Sequence, residues 1–316
     1  MDLVSIIIPT YKGASALSRA VDSVLSQAYQ DIQVIVVDDN DPDSEGRTAT
    51  ENVMAKYTDA KVLYLRHEHN KNGAAARNTG IAAAKGTYIA FLDDDDYYLP
   101  ERIEKSVAFL ESHKDYAGVY VGVDLIDADG NIIHQVRPDK ELLVRELLLD
   151  EMVVGTGSNI FLRKEVVGKV NGFDSAFVRR QDTEFMIRVC ENGRIGFIPE
   201  KLIIKSVNGT MNHPKYRKMK AVIEQFTGKF SDEIDELGEA KGHYYATQYR
   251  TLFGIALYEG DKAEIKEARE LITRYDKLTA KEKILSFIYS HGLRDNAIVS
   301  ALIGANRKAH SKSAEK

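Results

Sequence analysis

Four short apolar runs, each halted by polar or acidic residues, most limit what this chain can fold into. Val4–Ile8 ends at Pro9, Gln33–Val37 is closed by Asp38-Asp39, Val62–Leu65 follows, and Tyr88–Leu92 stops at four consecutive aspartates, Asp93 to Asp96. Short β-branched runs bounded by such breakers read as buried strands. Between them lie helical signals. Leu17, Val21, Val24, Leu25 and Ala28 recur at helical spacing, Ala74–Lys85 is rich in alanine, and Pro100 is placed to open a further helix. Strands separated by helices imply βαβ units and a mostly parallel sheet.

The pattern changes after residue 115. Val119–Asp127 and Ile132–Val136 flank Asp129-Gly130, a hairpin signal. Leu142–Leu149 reads as helix, Ser158–Leu162 as strand, Thr183–Cys190 as helix and Ile195–Ile198 as strand. From residue 214 onward only helical patterns remain. There Gly260-Asp261 divides a tyrosine-rich helix from a second one, like a single tetratricopeptide-type hairpin without a repeat. The predicted class is α/β, a mixed sheet with flanking helices followed by an all-helical C-terminal region. Its 316 residues suit about two domains, placed at 1–213 and 214–316.

One cysteine, Cys190, excludes a disulfide framework and a cysteine-rich zinc site, and suits a reducing compartment. The opening Met1-Asp2-Leu3-Val4-Ser5 lacks a basic stretch, so no secretory leader is expected. No apolar run is long enough to span a bilayer. The net charge of −5 argues against a nucleic-acid partner. Charge is uneven: residues 277–316 hold eight Lys/Arg against three Asp/Glu, leaving −10 on the rest. Within that stretch Ile284, Leu285, Phe287, Ile288, Leu293, Ile298, Leu302 and Ile303 interleave with basic residues. Two readings stay open. Either the tail contacts an anionic membrane surface peripherally, on the inner face of the cell membrane, or it packs on the helices before it. The expected location is cytoplasmic in both.

In an open α/β sheet, ligands bind at the carboxyl ends of the strands, where strand order reverses. With order 3-2-1-4, Pro9-Thr10-Tyr11, Asp38-Asp39 and Asp93 to Asp96 converge on one rim. Four adjacent carboxylates repel one another, and a divalent cation, Mg²⁺ or Mn²⁺, would relieve that repulsion. Asp93 and Asp95 would share a side if the strand continues. The alternative is a solvated acidic turn. Asp38 and Asp39 could accept from a nucleoside or cap a turn, and Tyr11 could stack on a base or fill the rim. Asn72-Gly73 opens a helix whose small residues allow close approach of an anion, with Arg77 offering a fork to a diphosphate. Asp182 reads as an N-cap or as a general base at a rigid helix start, and the two roles can coexist.

Val4-Ser5-Ile6-Ile7-Ile8-Pro9-Thr10-Tyr11, Val36-Val37-Asp38-Asp39, Asn72-Gly73 through Ile81, Ala84-Lys85-Gly86 and Ile89 through Asp96 follow in order, with Gly172-Phe173-Asp174 and Gln181-Asp182 later. Together, over about residues 3–205, they resemble glycosyltransferase family 2, of the GT-A fold. The resemblance implies an inverting transferase using a nucleoside-diphosphate sugar, with uridine diphosphate as the family-level expectation. It implies a nucleotide site of Pro9, Thr10, Tyr11, Asp38, Asp39, Arg77 and Asp94. Asp93 and Asp95 match the family's metal-binding Asp-x-Asp pair, and Asp182 matches its catalytic base. Gln181 stands where the family more often has Glu. His213 lies where relatives sometimes contact phosphate or metal, though a surface histidine explains it as well. The implied acceptor is a glycan or a lipid-linked sugar, the implied setting bacterial surface polysaccharide assembly. A nucleotidyltransferase is the nearest rival, but it wants a Gly-rich, Arg-containing loop after strand one, and Lys12-Gly13-Ala14 is not one. An aspartyl-phosphate phosphatase would want its aspartates after strand one. A non-catalytic nucleotide-sugar binding module is the other rival.

Overall fold

The computed structural model describes residues 2–149, 153–207 and 214–290, and the chain divides into two compact units, Met1–Gly209 and Thr210–Lys316. The first unit opens with β1 (Val4–Thr10), α1 (Ala14–Leu25), β2 (Ile32–Asp38), α2 (Glu45–Met54), β3 (Val62–Arg66), α3 (Gly73–Ala83) and β4 (Tyr88–Phe91). Strand β1 pairs in parallel with β2 on one side and β4 on the other, and β2 pairs in parallel with β3. Strand order therefore reverses between β1 and β4, as predicted. Ile6, Ile7, Ile8 and Val34 to Val37 are wholly buried, because helices cover both faces of a parallel sheet. Helix α2 is not foreseen by apolar periodicity. Its sequence is largely polar, and it is held by the Ser44 side chain accepting from the Arg47 N–H and by burial of Arg47, Thr50 and Met54.

The same unit continues through β5 (Tyr97–Tyr98), α4 (Arg102–Ser112), β6 (Tyr116–Ile126), β7 (Ile132–Val136), α5 (Val144–Leu149), β8 (Phe161–Arg163), α6 (Lys164–Lys169), α7 (Gln181–Asn192) and β9 (Arg194–Ser206). The sheet order is β3-β2-β1-β4-β8-β6-β9-β5, with β7 paired to β6 as the expected hairpin. Strand β8 runs antiparallel to β4 and β6, so the sheet is mixed.

Three sequence expectations are corrected. Pro100 sits two residues ahead of α4, whose N-cap is Glu101. The strand predicted over Ser158–Leu162 begins only at Phe161, because Gly157–Asn159 forms a 3₁₀ turn. There the buried Asn159 side chain accepts from the Val121 N–H and donates to the carbonyls of Val121 and Val154, replacing ladder bonds. The strand predicted as Ile195–Ile198 runs on to Ser206. Pro199 and Glu200 bulge out of register opposite Gly122, as a proline without an N–H requires.

The second unit contains α8 (Tyr216–Lys229), α9 (Ser231–Asp235), α10 (Lys241–Glu259), α11 (Lys262–Thr273) and α12 (Ala280–Ser290). Gly260, at φ +79°, ends α10, and the Asp261 side chain caps α11 by accepting from the Ala263 and Glu264 N–H groups. Tyr216, Ile223, Leu252, Phe253, Ile265 and Ile272 share its core. In the tail, Ile288 is buried whereas Ile284 and Phe287 are exposed. Leu293, Ile298, Leu302, Ile303 and His213 lie outside the described residues. No described helix is long and apolar enough to cross a membrane.

Candidate active site

The four aspartates after β4 do not extend the strand. The Asp96 N–H bonds the Asp93 carbonyl at 3.1 Å, making a turn. Alternation along a strand therefore does not set which of them share a face, and each meets a different environment. Asp93 accepts from the Arg77 guanidinium at 2.7 Å, while its own N–H donates to the Ser158 hydroxyl at 2.9 Å. Burial resists its ionisation, but Arg77 and Lys205 hold it below the usual carboxylate range. Asp94 accepts from the Thr10 hydroxyl at 2.5 Å. Burial, together with the charges of Asp95 and Asp93, pushes it up to about 7 against that hydrogen bond. Asp95 is also raised, by burial and then by Asp93. Asp96 is fully buried and accepts from the hydroxyls of Thr156 and Ser158 at 2.8 and 2.7 Å, and from the Ser206 N–H. It ties the turn to the end of β9. Gly13 comes so close to Asp94 that a Cβ there would lie 1.9 Å from its carboxylate.

At the end of β2 both carboxylates turn inward. Asp38 is fully buried and accepts from the Asn40 N–H, the Asn40 amide and the Tyr64 hydroxyl, with Arg47 Nε at 3.3 Å. With both oxygens engaged by the interior, Asp38 braces β2 against α2. Replacing it strands the buried Arg47, and breaking such a pair typically costs several kcal/mol. Asp38→Ala is expected to lower unfolding free energy by about 3 kcal/mol, read from urea denaturation, with little effect on ligand affinity in the folded fraction. Asp39 takes His67 Nδ1 at 2.7 Å, the Asn70 amide, and the backbone N–H groups of Lys71 and Asn72. It organises the segment that leads into α3. His67 in turn meets the Thr79 hydroxyl at 2.8 Å. Tyr11 is 47% exposed, an open ring at the rim beside half-buried Pro9.

Arg77, nearly buried on α3, connects the acidic turn to α7. One guanidinium nitrogen serves Asp93 and lies 3.8 Å from Asp182 Oδ1, and the other donates to Gln181 at 3.2 Å. Beneath it Phe173 stacks on Phe185 at 4.1 Å and meets Phe91 edge-on. Phe173 is fixed by Asn78, whose amide donates to its carbonyl and accepts from its N–H, each at 2.8 Å. The Ala-Arg-Asn and Gly-Phe-Asp segments are thus parts of one assembly.

Asp182 lies in the first turn of α7. The N-cap is Arg180, and no side chain caps this helix end, so the capping role open to Asp182 is not the one it plays. Its Oδ1 is buried without a hydrogen-bond partner, although the side chain as a whole is 40% exposed. Burial and Asp93 raise its pKa, against Arg77 and Lys205. A Cβ on Gly157 would lie 2.6 Å from its other oxygen, so glycine keeps that space open.

Among the described residues, three of the four non-glycine residues with positive φ lie at the entries to this region: Lys12, Asn72 and Arg180, at +60°, +99° and +60°. Such conformations cost roughly 1–3 kcal/mol each and persist where the surroundings over-determine them. Lys205, Thr156, Ser158 and His67 were not singled out from sequence. Lys205 alone left a trace, as the one charge in Leu202-Ile203-Ile204-Lys205-Ser206.

A reversed parallel strand order with an acidic turn at the reversal is the nucleotide-site architecture of GT-A proteins. The chain belongs to glycosyl transferase family 2, whose model matches residues 5–170. It is similar to an uncharacterized glycosyltransferase of Rickettsia felis, 33% identical over 210 residues, covering 65% of this chain and 34% of that protein. The chain thus spans about a third of that relative's length. It is also similar to a UDP-Glc:alpha-D-GlcNAc-diphosphoundecaprenol beta-1,3-glucosyltransferase of Escherichia coli, 36% identical over 129 residues, 40% of this chain and 49% of that one. Among solved structures, the fold is shared with a mannosyltransferase of Pyrobaculum calidifontis in complex with GDP-Man and Mn²⁺, at TM-score 0.58 and 15% identity, covering 99% of this chain and 86% of that one.

Proposed function

We propose that the protein is an inverting glycosyltransferase that moves a sugar from a uridine diphosphate donor to an acceptor hydroxyl. The observation that carries the reading is Asp182 Oδ1, buried without a hydrogen bond, 3.8 Å from an arginine already bound to the acidic turn. A carboxylate oxygen that accepts no hydrogen bond, on a group raised in pKa, is fit to take a proton. The nucleoside lies against Pro9, Thr10, Tyr11 and Asp94, with Tyr11 stacking on the base and Asp39 fixing the wall behind it. The acceptor oxygen forms a bond to the anomeric carbon, its proton passes to Asp182, and the bond to the diphosphate oxygen breaks from the opposite face. The nucleoside diphosphate leaves with the electron pair. Arg77 offers positive charge to the departing phosphates.

The residues fit a divalent cation carried with the donor. Among the described residues no three His, Cys, Asp or Glu side chains form a metal cage, but Asp93 and Asp95 supply two hard carboxylates on one turn, a partial shell that phosphate oxygens complete. When bound, Mn²⁺ or Mg²⁺ would neutralise charge on the leaving group. The E. coli relative, a UDP-Glc:alpha-D-GlcNAc-diphosphoundecaprenol glucosyltransferase, supports a uridine donor and a lipid-linked acceptor. Bacterial surface polysaccharide assembly at the inner face of the cell membrane is the setting this favours, with 277–316 as the contact.

Hydrolysis of a panel of nucleotide sugars, with and without Mn²⁺, tests the reading. Slow, metal-dependent release of uridine diphosphate is expected. Incorporation of labelled pyrophosphate into a nucleotide sugar would instead mark a nucleotidyltransferase, and no turnover or binding of any donor would sink the proposal.

A further inference from the structure

Lys205, next to last in β9, projects its ammonium into the acidic turn. The backbone there is held firmly. Ile204 pairs with Tyr97 of β5, Lys205 pairs with Leu125 of β6, and the Ser206 N–H donates to Asp96 Oδ1. Yet the ammonium itself is not locked to any one carboxylate. It lies 3.4 Å from the Thr156 hydroxyl and 3.7 Å from Asp96 Oδ2. Thr156 meanwhile donates to Asp96 and approaches Asp93 at 3.5 Å. Burial works against the charge on Lys205, but Asp96, Asp93, Asp95 and Asp182 together outweigh it. The lysine therefore acts on four carboxylates through its field rather than through a short bond. The other cations here are committed elsewhere: Arg77 to Asp93 and Gln181, and Arg19 to the Asp95 carbonyl and the Ser206 hydroxyl.

We propose that Lys205 is the resident counter-cation of the acidic turn, a positioning residue that a divalent ion must overcome to reach Asp93 and Asp95. A metal ion without nucleotide then gains little, because the charge it would neutralise is already answered and its own charge is opposed by the ammonium. A metal ion that arrives with a diphosphate brings negative charge for Lys205 to turn to. The inference rests on the transferase reading only in naming the diphosphate as the group that accompanies the metal.

The test uses the full chain with MnCl₂ alone. Mn²⁺ affinity is read from the electron paramagnetic resonance signal of the free ion, and melting temperature is measured with and without Mn²⁺. Lys205→Met is expected to bind Mn²⁺ at least tenfold more tightly than the unaltered protein, to melt lower without metal, and to regain its melting temperature when Mn²⁺ is added. Lys205→Arg, which keeps the charge, should retain weak Mn²⁺ binding and the original melting temperature. Unchanged Mn²⁺ affinity in Lys205→Met overturns the proposal, as does a lowered melting temperature that Mn²⁺ does not restore. Should that variant be unfolded without metal, recovery of the fold in Mn²⁺ supports the role and no recovery refutes it. Because no nucleotide enters this titration, it stays decisive even if the protein turns over no nucleotide sugar.

Discussion

Asp182→Asn is expected to reduce glycosyl transfer by about 10²-fold or more, the usual scale for loss of a general base, while donor affinity changes little. The amide keeps the shape of the side chain and removes its basicity. Since Asp182 caps no helix and its Oδ1 has no hydrogen-bond partner, the variant should be as stable as the original or more so. Its raised pKa means that the ionised form costs folding free energy above the unfolded pKa of about 3.9, a cost the amide does not carry. Steady-state transfer rates and a calorimetric donor titration on the same preparation check both statements. Near-normal turnover would remove Asp182 from the chemistry.

Asp95→Ala should abolish metal-dependent donor binding and leave the fold intact. Asp95 is raised by burial and by Asp93, so at neutral pH its ionised carboxylate opposes folding. Removing it should leave the metal-free melting temperature equal or higher. Titrating uridine diphosphate into the protein with Mn²⁺ is the measurement, and affinity equal to that of the unaltered chain would contradict the assignment of Asp95 as a metal ligand. Asp38→Ala is expected to behave in the opposite way. One carboxylate is expected to matter for ligand and not for stability, the other for stability and not for ligand.

The parallel core was legible because β1, β2 and β4 are buried on both faces and so read as unbroken apolar runs. The reversal point followed, since each run ended in residues suited to a ligand. Helix α2 escaped because two of its three buried residues, Arg47 and Thr50, are polar, which leaves no apolar periodicity. Asp38 looked like a rim residue because nothing in one dimension says which way a strand-end carboxylate turns. That was settled by Arg47 and Tyr64, from α2 and β3. Lys205 and Thr156 were illegible for the same reason over a longer span. Their meaning lies in meeting an acidic turn that is 60 residues from Thr156 and about half the sheet unit from Lys205 in sequence. Asp182 was found with two candidate roles, and the absence of a hydrogen bond to its Oδ1 could not be read from sequence.

The two-way amide contact between Asn78 and the backbone of Phe173 bears on how such proteins can be recombined. It stitches a segment that begins at Gly172 to a helix almost a hundred residues earlier, directly beside Arg77. A chimera joined upstream of residue 172 would receive a foreign Gly-Phe-Asp segment against its native Asn78, and the guanidinium that spans Asp93 and Asp182 would rest on a mismatched floor. A junction placed after Phe185 keeps that stitch, the aromatic trio and both carboxylates from one parent. Modularity in this chain therefore has its seam inside α7, one turn later than the boundaries of its strands and loops suggest.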